Sequence, residues 1–384
     1  MKTRYLVVSA LVFLGAACLG LVTYTPVVEV VPGAGLPPEV RCMESNNNLD
    51  LVRYKDRLFL AFRTAPYHFA SEKTTLYIIS STDQGKTWEF EEEIRIGSDM
   101  REPRFLALPD KLMFYFFEAG KNPLAFTPKN IFAMERVGKG DWTGPQKVFK
   151  PGCVLWRAKY RNGRAYATVY CGGADMYEGG NKDVGIYFLN TSDGYNFEPV
   201  DRQRPVAHTG GSETAFEFDV DGRLYLAVRN EGGDGKTWGS KVCTAGPDDL
   251  ADWECRVTPM KYDSPLMFRH NDEIYLIARR NPDGAYDKKE RWMWDPAETL
   301  YYMARYWWTP KRTALYKLDK DSLEMVPVLD FPSRGDTAFP GLVRLSEDEY
   351  LMYNYSSHPY GKDRVWMTGQ LTGTQIYSTI IKFH

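Results

Sequence analysis

A turn that leads into an aromatic residue recurs along this chain at steps of 54, 55 and 56 residues. Its clearest copy spans residues 81–88, Ser-Thr-Asp-Gln-Gly-Lys-Thr-Trp, and later copies end at Trp142, Phe197 and Trp253. A second series, a polar turn before a β-rich run, begins six times, near Asp56, Asp110, Asn162, Asp221, Asp272 and Glu347. A period of roughly 50 residues with several short strands per unit is typical of a β-propeller. The spacing therefore predicts an all-β, six-bladed β-propeller.

The repeats fill residues 40–384, so the sequence predicts a single propeller domain in spite of its length. The expected blades are residues 43–97, 98–151, 152–210, 211–262, 263–335 and 336–384. We expect a strand at residues 375–380 to close the ring, with a strand from residues 39–45 beside it.

Blade five is the longest because it contains an insertion at residues 287–310. Asp295, Pro296 and Glu298 within it are typical of a helix N-terminus, as a capping residue, a first-turn proline and a capping-box acid. A helix reaching Trp308 is predicted, and it carries several tyrosine and tryptophan rings. Two placements stay open: over the central funnel, where the rings could stack on a sugar, or packed on the propeller rim.

The first 22 residues differ from the rest of the chain. Lys2 and Arg4 precede an uncharged, largely apolar stretch at residues 5–22, which predicts either a signal peptide or a membrane anchor. Residues 23–39 contain four prolines and few charges, and we interpret them as a tether. Both alternatives place the propeller outside the cytoplasm, either secreted or held at a membrane by residues 5–22.

The cysteines agree with an oxidising compartment. Cys153 and Cys171 flank a hairpin turn, and Cys243 and Cys255 flank a second strand connection, so two cross-strand disulfides are expected. Buried free thiols are the alternative for each pair. The formal net charge of −2 and the lack of a basic run argue against a nucleic-acid partner. No cofactor or metal is expected, because no cysteine–histidine spacing suggests zinc and no ligand spacing suggests calcium.

Residues 81–88 resemble the Asp-box of the sialidase (neuraminidase) superfamily, and residues 191–197 are similar to a degenerate second copy. Physically the unit is a turn in which an aspartate caps backbone N–H groups, a glycine permits the bend, and an aromatic ring packs between strands. In that superfamily the box is structural and lies away from the active site. The resemblance therefore implies the fold and leaves the activity open.

Sialidases use three arginines to clamp a carboxylate, a tyrosine nucleophile assisted by a glutamate, and an aspartate acid/base. Glu213 and Arg229 resemble the family's assisting glutamate and second arginine, and Arg312 looks like its third arginine. The other positions depart from the pattern: Asn48 falls at the first arginine and Phe339 at the tyrosine. The loop expected to carry the aspartate offers only Glu72. These departures put the usual sialidase mechanism in doubt.

Carboxylates at the starts of four innermost strands form a different candidate set. We expect Glu213 and Asp336 to be the acid/base pair, with Asp50 and Glu102 supporting them. The motifs Asn48-Leu49-Asp50 and Arg101-Glu102-Pro103, with a later Glu, faintly resemble the acid trio of five-bladed glycosidases of the invertase and arabinanase type, which have Asp where this chain has Glu102. The expected substrate-binding residues are Arg229, Arg312, Arg104, Arg157, Arg280 and Asn48. The alternative for each residue is an ion pair that joins adjacent blades.

The sequence therefore favours an exported propeller that binds a saccharide or glycoconjugate in its funnel, as a glycoside hydrolase other than a standard sialidase. A non-catalytic carbohydrate- or protein-binding propeller is the alternative, and an anchored envelope scaffold is a third. An enzyme requires a carboxyl pair facing one cavity, whereas a binding protein would hold its acids in salt bridges.

Overall fold

The computed structural model describes residues 21–123, 127–173, 184–230, 238–286 and 295–384. Within these ranges the chain forms six β-sheets and two short helices. Each sheet is one blade, with antiparallel strands that follow each other outward from the centre of the ring. The all-β, six-bladed propeller predicted from the repeat spacing is confirmed.

The strands follow the chain blade by blade, after β1 (Val22–Tyr24) and β2 (Val28–Val31). Blade one contains β3 (Ser45–Tyr54), β4 (Arg57–Ala65), β5 (Thr75–Ser81) and β6 (Glu89–Ile94). Blade two contains β7 (Asp99–Ala107), β8 (Leu112–Gly120), β9 (Ile131–Gly138), β10 (Asp141–Trp142) and β11 (Gln146–Val148). Blade three contains β12 (Cys153–Arg161), β13 (Arg164–Cys171), β14 (Gly185–Thr191), β15 (Glu198–Pro199) and β16 (His208–Thr209).

Blade four contains β17 (Thr214–Phe218), β18 (Leu224–Arg229), β19 (Ser240–Ala245) and β20 (Glu254–Thr258). Blade five contains β21 (Asp263–His270), β22 (Glu273–Arg280), helix α1 (Asp295–Trp307), β23 (Arg312–Asp319) and β24 (Glu324–Phe331). Blade six contains β25 (Arg334–Thr337), β26 (Gly341–Arg344), β27 (Glu349–Ser357), helix α2 (Trp366–Gln370) and β28 (Gln375–Phe383).

The ring closes through the N-terminal strands, which the sequence analysis placed in a tether. Both β1 and β2 pair antiparallel with β28, so residues 22–31 form the outer edge of blade six. Prolines flank β2 and do not interrupt it, and an edge strand tolerates such neighbours. The prediction of a tether at residues 23–39 is therefore wrong for β1 and β2. The expected strand at residues 39–45 does not lie beside β28, because Ser45 forms only a single bridge, to Thr374.

The predicted signal or anchor segment, residues 5–22, lies outside the described residues except for its last two. Val22 already belongs to β1, opposite Phe383. In the ranges that the structure covers, neither helix is long and apolar enough to cross a bilayer.

Removing the N-terminal strands should destabilise the whole propeller. A chain that begins at Gly33 loses the partner of β28 and uncovers apolar side chains, among them Val31, which is fully buried. We expect its melting temperature to fall by at least about 5 °C relative to a chain that begins at Leu21. Calorimetry of the two chains measures the difference. Equal melting temperatures would mean that residues 22–31 are a tether after all.

In blades one, three and four, the recurring turn packs an aromatic ring on the blade before it. Asp83 accepts hydrogen bonds from the backbone N–H groups of Lys86 and Thr87, and these bonds and that of the Thr87 hydroxyl hold its pKa well below the usual range. Trp88 then packs edge-on against Tyr353 of blade six. Phe197 and Trp253 repeat this contact with the preceding blade, as the pairs Phe197–Tyr115 and Trp253–Phe188. The ring of Trp142 instead contacts Phe105 and Phe114 of its own blade. For the other three turns, the sequence period is the period of inter-blade packing.

Both expected disulfides are present. Cys153–Cys171 joins β12 to β13, and Cys243–Cys255 joins β19 to β20, each between directly opposed residues. Cys42 is a free thiol, and burial raises its pKa to about 11. Disulfides persist in oxidising compartments, so the two bridges are consistent with a protein outside the cytoplasm.

Candidate functional site

Four innermost strands begin with an irregularity at the same place. Asn48, Glu102, Ser264 and Ala338 all adopt a positive φ, of 40°, 52°, 50° and 72°, at or beside a shift in strand register. A non-glycine residue in this region is strained, and β-bulges of this kind often redirect side chains next to functional sites. The bulges mark the end of the propeller at which the polar residues of the inner strands gather.

Side chains from non-adjacent blades meet at this end. Trp156 and Arg157 of blade three donate hydrogen bonds to the carbonyl oxygen of Pro265 in blade five, at 3.0–3.2 Å. Arg157 also donates to the carbonyl oxygen of Pro340 in blade six, at 3.3 Å. Such contacts are feasible only near the axis of the ring, so this cluster is central.

Glu102 is a buried carboxyl group of the central cluster with a raised pKa. Burial raises its pKa to about 7, against the lowering effect of Arg104 and with a smaller upward contribution from Glu213. The Asn48 amide donates to Glu102 Oε1 at 3.3 Å, and Arg104 Nη2 lies 3.6 Å from Oε2. The side chain is 9% exposed, and its Oε2 atom is buried.

Asp50 lies between two arginines in the same cluster. Its carboxylate accepts a hydrogen bond from the backbone N–H of Phe105 at 2.8 Å and lies 3.7 Å from Arg157 and 4.0 Å from Arg104. Burial raises the pKa of Asp50, while the two guanidinium groups oppose that rise. Arg104 is stacked between the rings of Trp156 and Phe339, whose centroids lie 4.8 and 4.2 Å from its guanidinium carbon. Arg104 is thus held by packing as well as by charge.

Glu213 and Arg229, which resemble the family's assisting glutamate and second arginine, lie in contact. Arg229 donates to Glu213 Oε1 at 2.6 Å, and the backbone N–H of Ser264 donates to Oε2 at 2.7 Å. Arg229 also lies 3.3 Å from Asp263, a fully buried residue that the sequence analysis did not single out. Burial alone would raise the pKa of Asp263, but Arg229 and Lys261 hold it below the usual value.

Asp336 has three donors around its buried carboxylate. His68 Nδ1 lies 2.5 Å from Oδ2, while the Tyr355 hydroxyl and the Trp366 indole donate to Oδ1 at 3.0 and 3.1 Å. Burial would raise the pKa of Asp336, but His68 and Arg279 lower it below the usual value. Asp336 is therefore held as a carboxylate in a fixed orientation.

The structure does not bring Arg280 and Arg312 to the central cluster. The two residues oppose each other on β22 and β23, and their side chains pair with partly exposed acids, Asp330 at 2.9 Å and Asp363 at 3.0 Å. Because side chains alternate along a strand, the residue before Arg280 points inward instead. That residue, Arg279, donates to the carbonyl oxygens of Thr337 and Ala338 in blade six.

Several residues of the cluster carried no motif that could reveal them. His68 lies in the loop between β4 and β5 and reaches Asp336, which is 268 positions away in sequence. Lys311, which precedes β23, is fully buried, and burial together with Arg279 lowers its pKa to about 6.

Glu72, the only acid of the blade-one loop, is exposed. Phe339, at the position of the family's tyrosine, is packed against Trp156.

A cleft beside Arg229 lies under helix α1. Its cavity of about 30 Å³ has room for about two water molecules, and its walls are formed by Arg229, Lys261, Trp238, Tyr302, Met303, Tyr306 and Trp307. Trp238 stacks on Tyr302 with ring centroids 5.0 Å apart. The cleft thus combines aromatic faces with two cationic groups, next to the Glu213–Arg229 pair.

Comparison with known proteins relates the fold to sialidases. No protein-family model and no curated protein sequence matches the chain. Among solved structures, it is similar to a protein of unknown function from Dyadobacter fermentans, with a TM-score of 0.66 and 14% identity over 94% of this chain and 99% of that one. It is also similar to Trypanosoma rangeli sialidase, with a TM-score of 0.60 and 12% identity over 94% of this chain. Hadza microbial sialidase Hz136 matches with a TM-score of 0.53 and 12% identity over 87% of this chain.

The chain spans 59% of the Trypanosoma rangeli sialidase and 65% of the Hadza sialidase. At these identities the similarity shows the fold alone. The protein has a sialidase-like six-bladed propeller.

Proposed function

We propose that the protein binds an oligosaccharide in its central funnel and hydrolyses a glycosidic bond there, by a route other than the usual sialidase mechanism. Glu102 carries this proposal. It combines a strained bulge position with a buried carboxyl group whose pKa is raised to about 7. A carboxyl group that is partly protonated near neutral pH is suited to donate a proton to the leaving oxygen of a glycoside.

The polar atoms around Glu102 support binding of a hydroxyl-rich ligand. Asn48 Oδ1, Glu102 Oε2 and Arg104 Nη2 are buried and have no hydrogen-bond partner among the described residues. Arg104 Nη2 and Glu102 Oε2 lie 3.6 Å apart as an ion pair, but neither makes a hydrogen bond. A buried polar atom without a hydrogen bond costs about 1–3 kcal/mol, which favours a functional explanation for this group of atoms. Two acceptors beside one donor suit sugar hydroxyl groups, which both donate and accept.

The cleft under α1, at about 30 Å³, is too small for a sugar ring, so a saccharide would lie in the central funnel itself. Arg229 borders both this cleft and the central cluster through Glu213. Trypanosoma rangeli sialidase, which shares the fold, has been solved in complex with sialic acid, which supports a saccharide ligand here by analogy.

A non-catalytic carbohydrate- or protein-binding propeller is the second candidate. The observation that favours it is that all four carboxyl groups have partners: Asp50 has Arg157, Glu102 has Arg104, Glu213 has Arg229 and Asp336 has His68. Contacts of this kind can serve only to join blades. Glu102 is the carboxyl group on which the two functions differ, because hydrolysis needs its proton and binding does not.

Replacing Glu102 with glutamine should separate these functions. Wild-type protein is incubated with neutral and acidic oligosaccharides, and released sugars are quantified by chromatography. We expect hydrolysis of one saccharide class and a loss of at least about 100-fold in kcat for Glu102→Gln, because the proton donor is removed.

The matched control is Glu347→Gln, which changes an exposed residue in a turn of blade six and should leave the rate unchanged. Saccharide binding by calorimetry without any product would favour the non-catalytic propeller. Neither binding nor product across the whole panel would reject the saccharide site.

A further inference from the structure

His68 and Asp336 form a pair that the proposed chemistry does not yet use. His68 Nδ1 lies 2.5 Å from Asp336 Oδ2, and Asp336 is fully buried while the His68 side chain is 12% exposed. A carboxylate only accepts hydrogen bonds, so this contact requires the proton on Nδ1. The other ring nitrogen, Nε2, then carries the lone pair, which is the tautomer of a general base.

Both members of the pair are rigidly positioned. The backbone N–H of His68 donates to the carbonyl oxygen of Gln370 at 3.2 Å, and its own carbonyl oxygen accepts from Arg101 at 2.6 Å. Asp336 is fixed on its other oxygen by Tyr355 and Trp366. These hydrogen bonds fix the orientation of His68 relative to Asp336.

The pair adjoins Glu102 through two consecutive asparagines. Asn47 Nδ2 lies 3.3 Å from His68 Nδ1, a contact that is not a hydrogen bond when Nδ1 carries the proton, and it donates to Ser45 Oγ instead. Asn48 Nδ2 donates to Glu102 Oε1 at 3.3 Å. Tyr355 provides a second link, because it donates to Asp336 while burial, Asp336 and Glu102 together raise its pKa. The strained bulge at Asn48 thus separates an acid on one side from an imidazole on the other.

We infer that His68, oriented by Asp336, is the general base of the central site and activates the water that attacks the sugar. This inference rests on the proposed glycoside hydrolysis. The water oxygen forms a bond to the anomeric carbon as the bond to the leaving oxygen breaks. Glu102 gives its proton to that leaving oxygen, and His68 Nε2 takes a proton from the water. The reaction is a single displacement, so the anomeric configuration is inverted.

The charges around both groups predict the pH profile. Burial lowers the pKa of His68 below 6.5, although Asp336 opposes this, so the ring is neutral at pH 7. Glu102 must be protonated, which requires a pH below about 7. The charged and titratable groups facing His68 are Asp336, Arg101, Arg63 and Tyr355, and those facing Glu102 are Arg104, Glu213, Arg101 and Arg157. Activity should peak between the two pKa values.

Replacing His68 with asparagine tests the base directly. We expect kcat to fall at least about 100-fold with little change in KM, and the acidic limb of the pH profile to disappear while the alkaline limb remains. His384→Gln changes an exposed residue that directly follows β28, and it should leave the pH profile unchanged. Proton NMR of the first-formed product should show the inverted anomer. Retention of configuration, or an unchanged acidic limb in His68→Asn, would overturn the inference.

A second measurement is independent of hydrolysis. The protein has five histidines, so long-range ¹H–¹⁵N correlation of the imidazole rings can resolve each tautomer, and His68→Asn identifies the signal of His68. We expect the Nδ1–H tautomer at pH 7 in the wild type. An Nε2–H tautomer would overturn the inference even if the enzyme is active. The Nδ1–H tautomer in a protein that hydrolyses no saccharide would instead reject the proposed function and, with it, the role of His68 as a base.

Discussion

Glu102→Gln is expected to stabilise the protein by about 3 kcal/mol at pH 9 and to have little effect at pH 4. Folding raises the pKa of Glu102 from the ordinary 4.5 to about 7, and this difference corresponds to about 3 kcal/mol. A raised pKa contributes stability that is complete below pH 4.5 and is lost as the pH rises through 7. Glutamine keeps an oxygen for the Asn48 amide but cannot ionise, so the variant avoids this loss.

Urea unfolding of the wild type and Glu102→Gln at pH 4, 7 and 9 measures the effect. Glu347→Gln is the control, because an exposed glutamate should produce the same small difference at every pH. A pH-independent difference for Glu102→Gln would mean that this carboxyl group titrates normally. The proposed proton donor would then lose its main support.

Asp99→Ala is expected to destabilise the protein by about 3–5 kcal/mol. Arg63, which is fully buried, donates to Asp99 at 2.6 and 3.0 Å, and Arg101 pairs with the other oxygen at 2.5 Å. Removing the carboxylate leaves the Arg63 charge in the interior without its partner, which is among the most costly single changes. The same pair joins β4 of blade one to β7 of blade two, so the inner ends of both blades depend on it.

Asp272→Ala provides the matched comparison for the unfolding measurement. Asp272 is an exposed aspartate that pairs with Lys320 at 3.1 Å, and surface pairs contribute about 0–1 kcal/mol. Similar losses for the two variants would show that Asp99 is not an essential link between the blades.

The blade number was predictable because it depends on a local, repeated feature. In three blades the turn brings an aromatic residue to the preceding blade, as Trp88 does to Tyr353, so the spacing of these turns is the spacing of the blades. The disulfide pairing followed in the same way, because Cys153 and Cys171 flank one hairpin. Short-range geometry of this kind is visible in a sequence.

The pairing of the N-terminal strands and the direction of individual side chains could not be predicted from local patterns. Residues 22–31 pair with the end of the chain, a contact across the whole sequence that no local pattern records. The expected clamps, Arg280 and Arg312, miss the cluster by one residue because a strand reverses side-chain direction at every step. Bulges such as that at Glu102 shift the register further. The His68–Asp336 pair is formed only when blade six meets blade one.

Opposite charges and aromatic stacking hold the polar residues at the centre of the propeller. Arg104 and Arg157 bring positive charge close to Asp50, and aromatic stacking fixes Arg104. Glu102 lies beside these residues, and its Oε2 atom accepts no hydrogen bond from a described residue. Evolution commonly retains strain and unpaired groups where a ligand is handled, at a cost in stability. The increase in stability expected for Glu102→Gln measures that cost.

The most direct test of the central site is calorimetric titration of Glu102→Gln with the panel of neutral and acidic oligosaccharides. This variant keeps the shape of the site but lacks the proton donor, so a substrate should bind without being consumed. We expect saturable binding of one saccharide class, weakened about tenfold by adding Asn48→Gly, a change compatible with the positive φ at that residue. No binding of any saccharide to either the variant or the wild type would contradict the account.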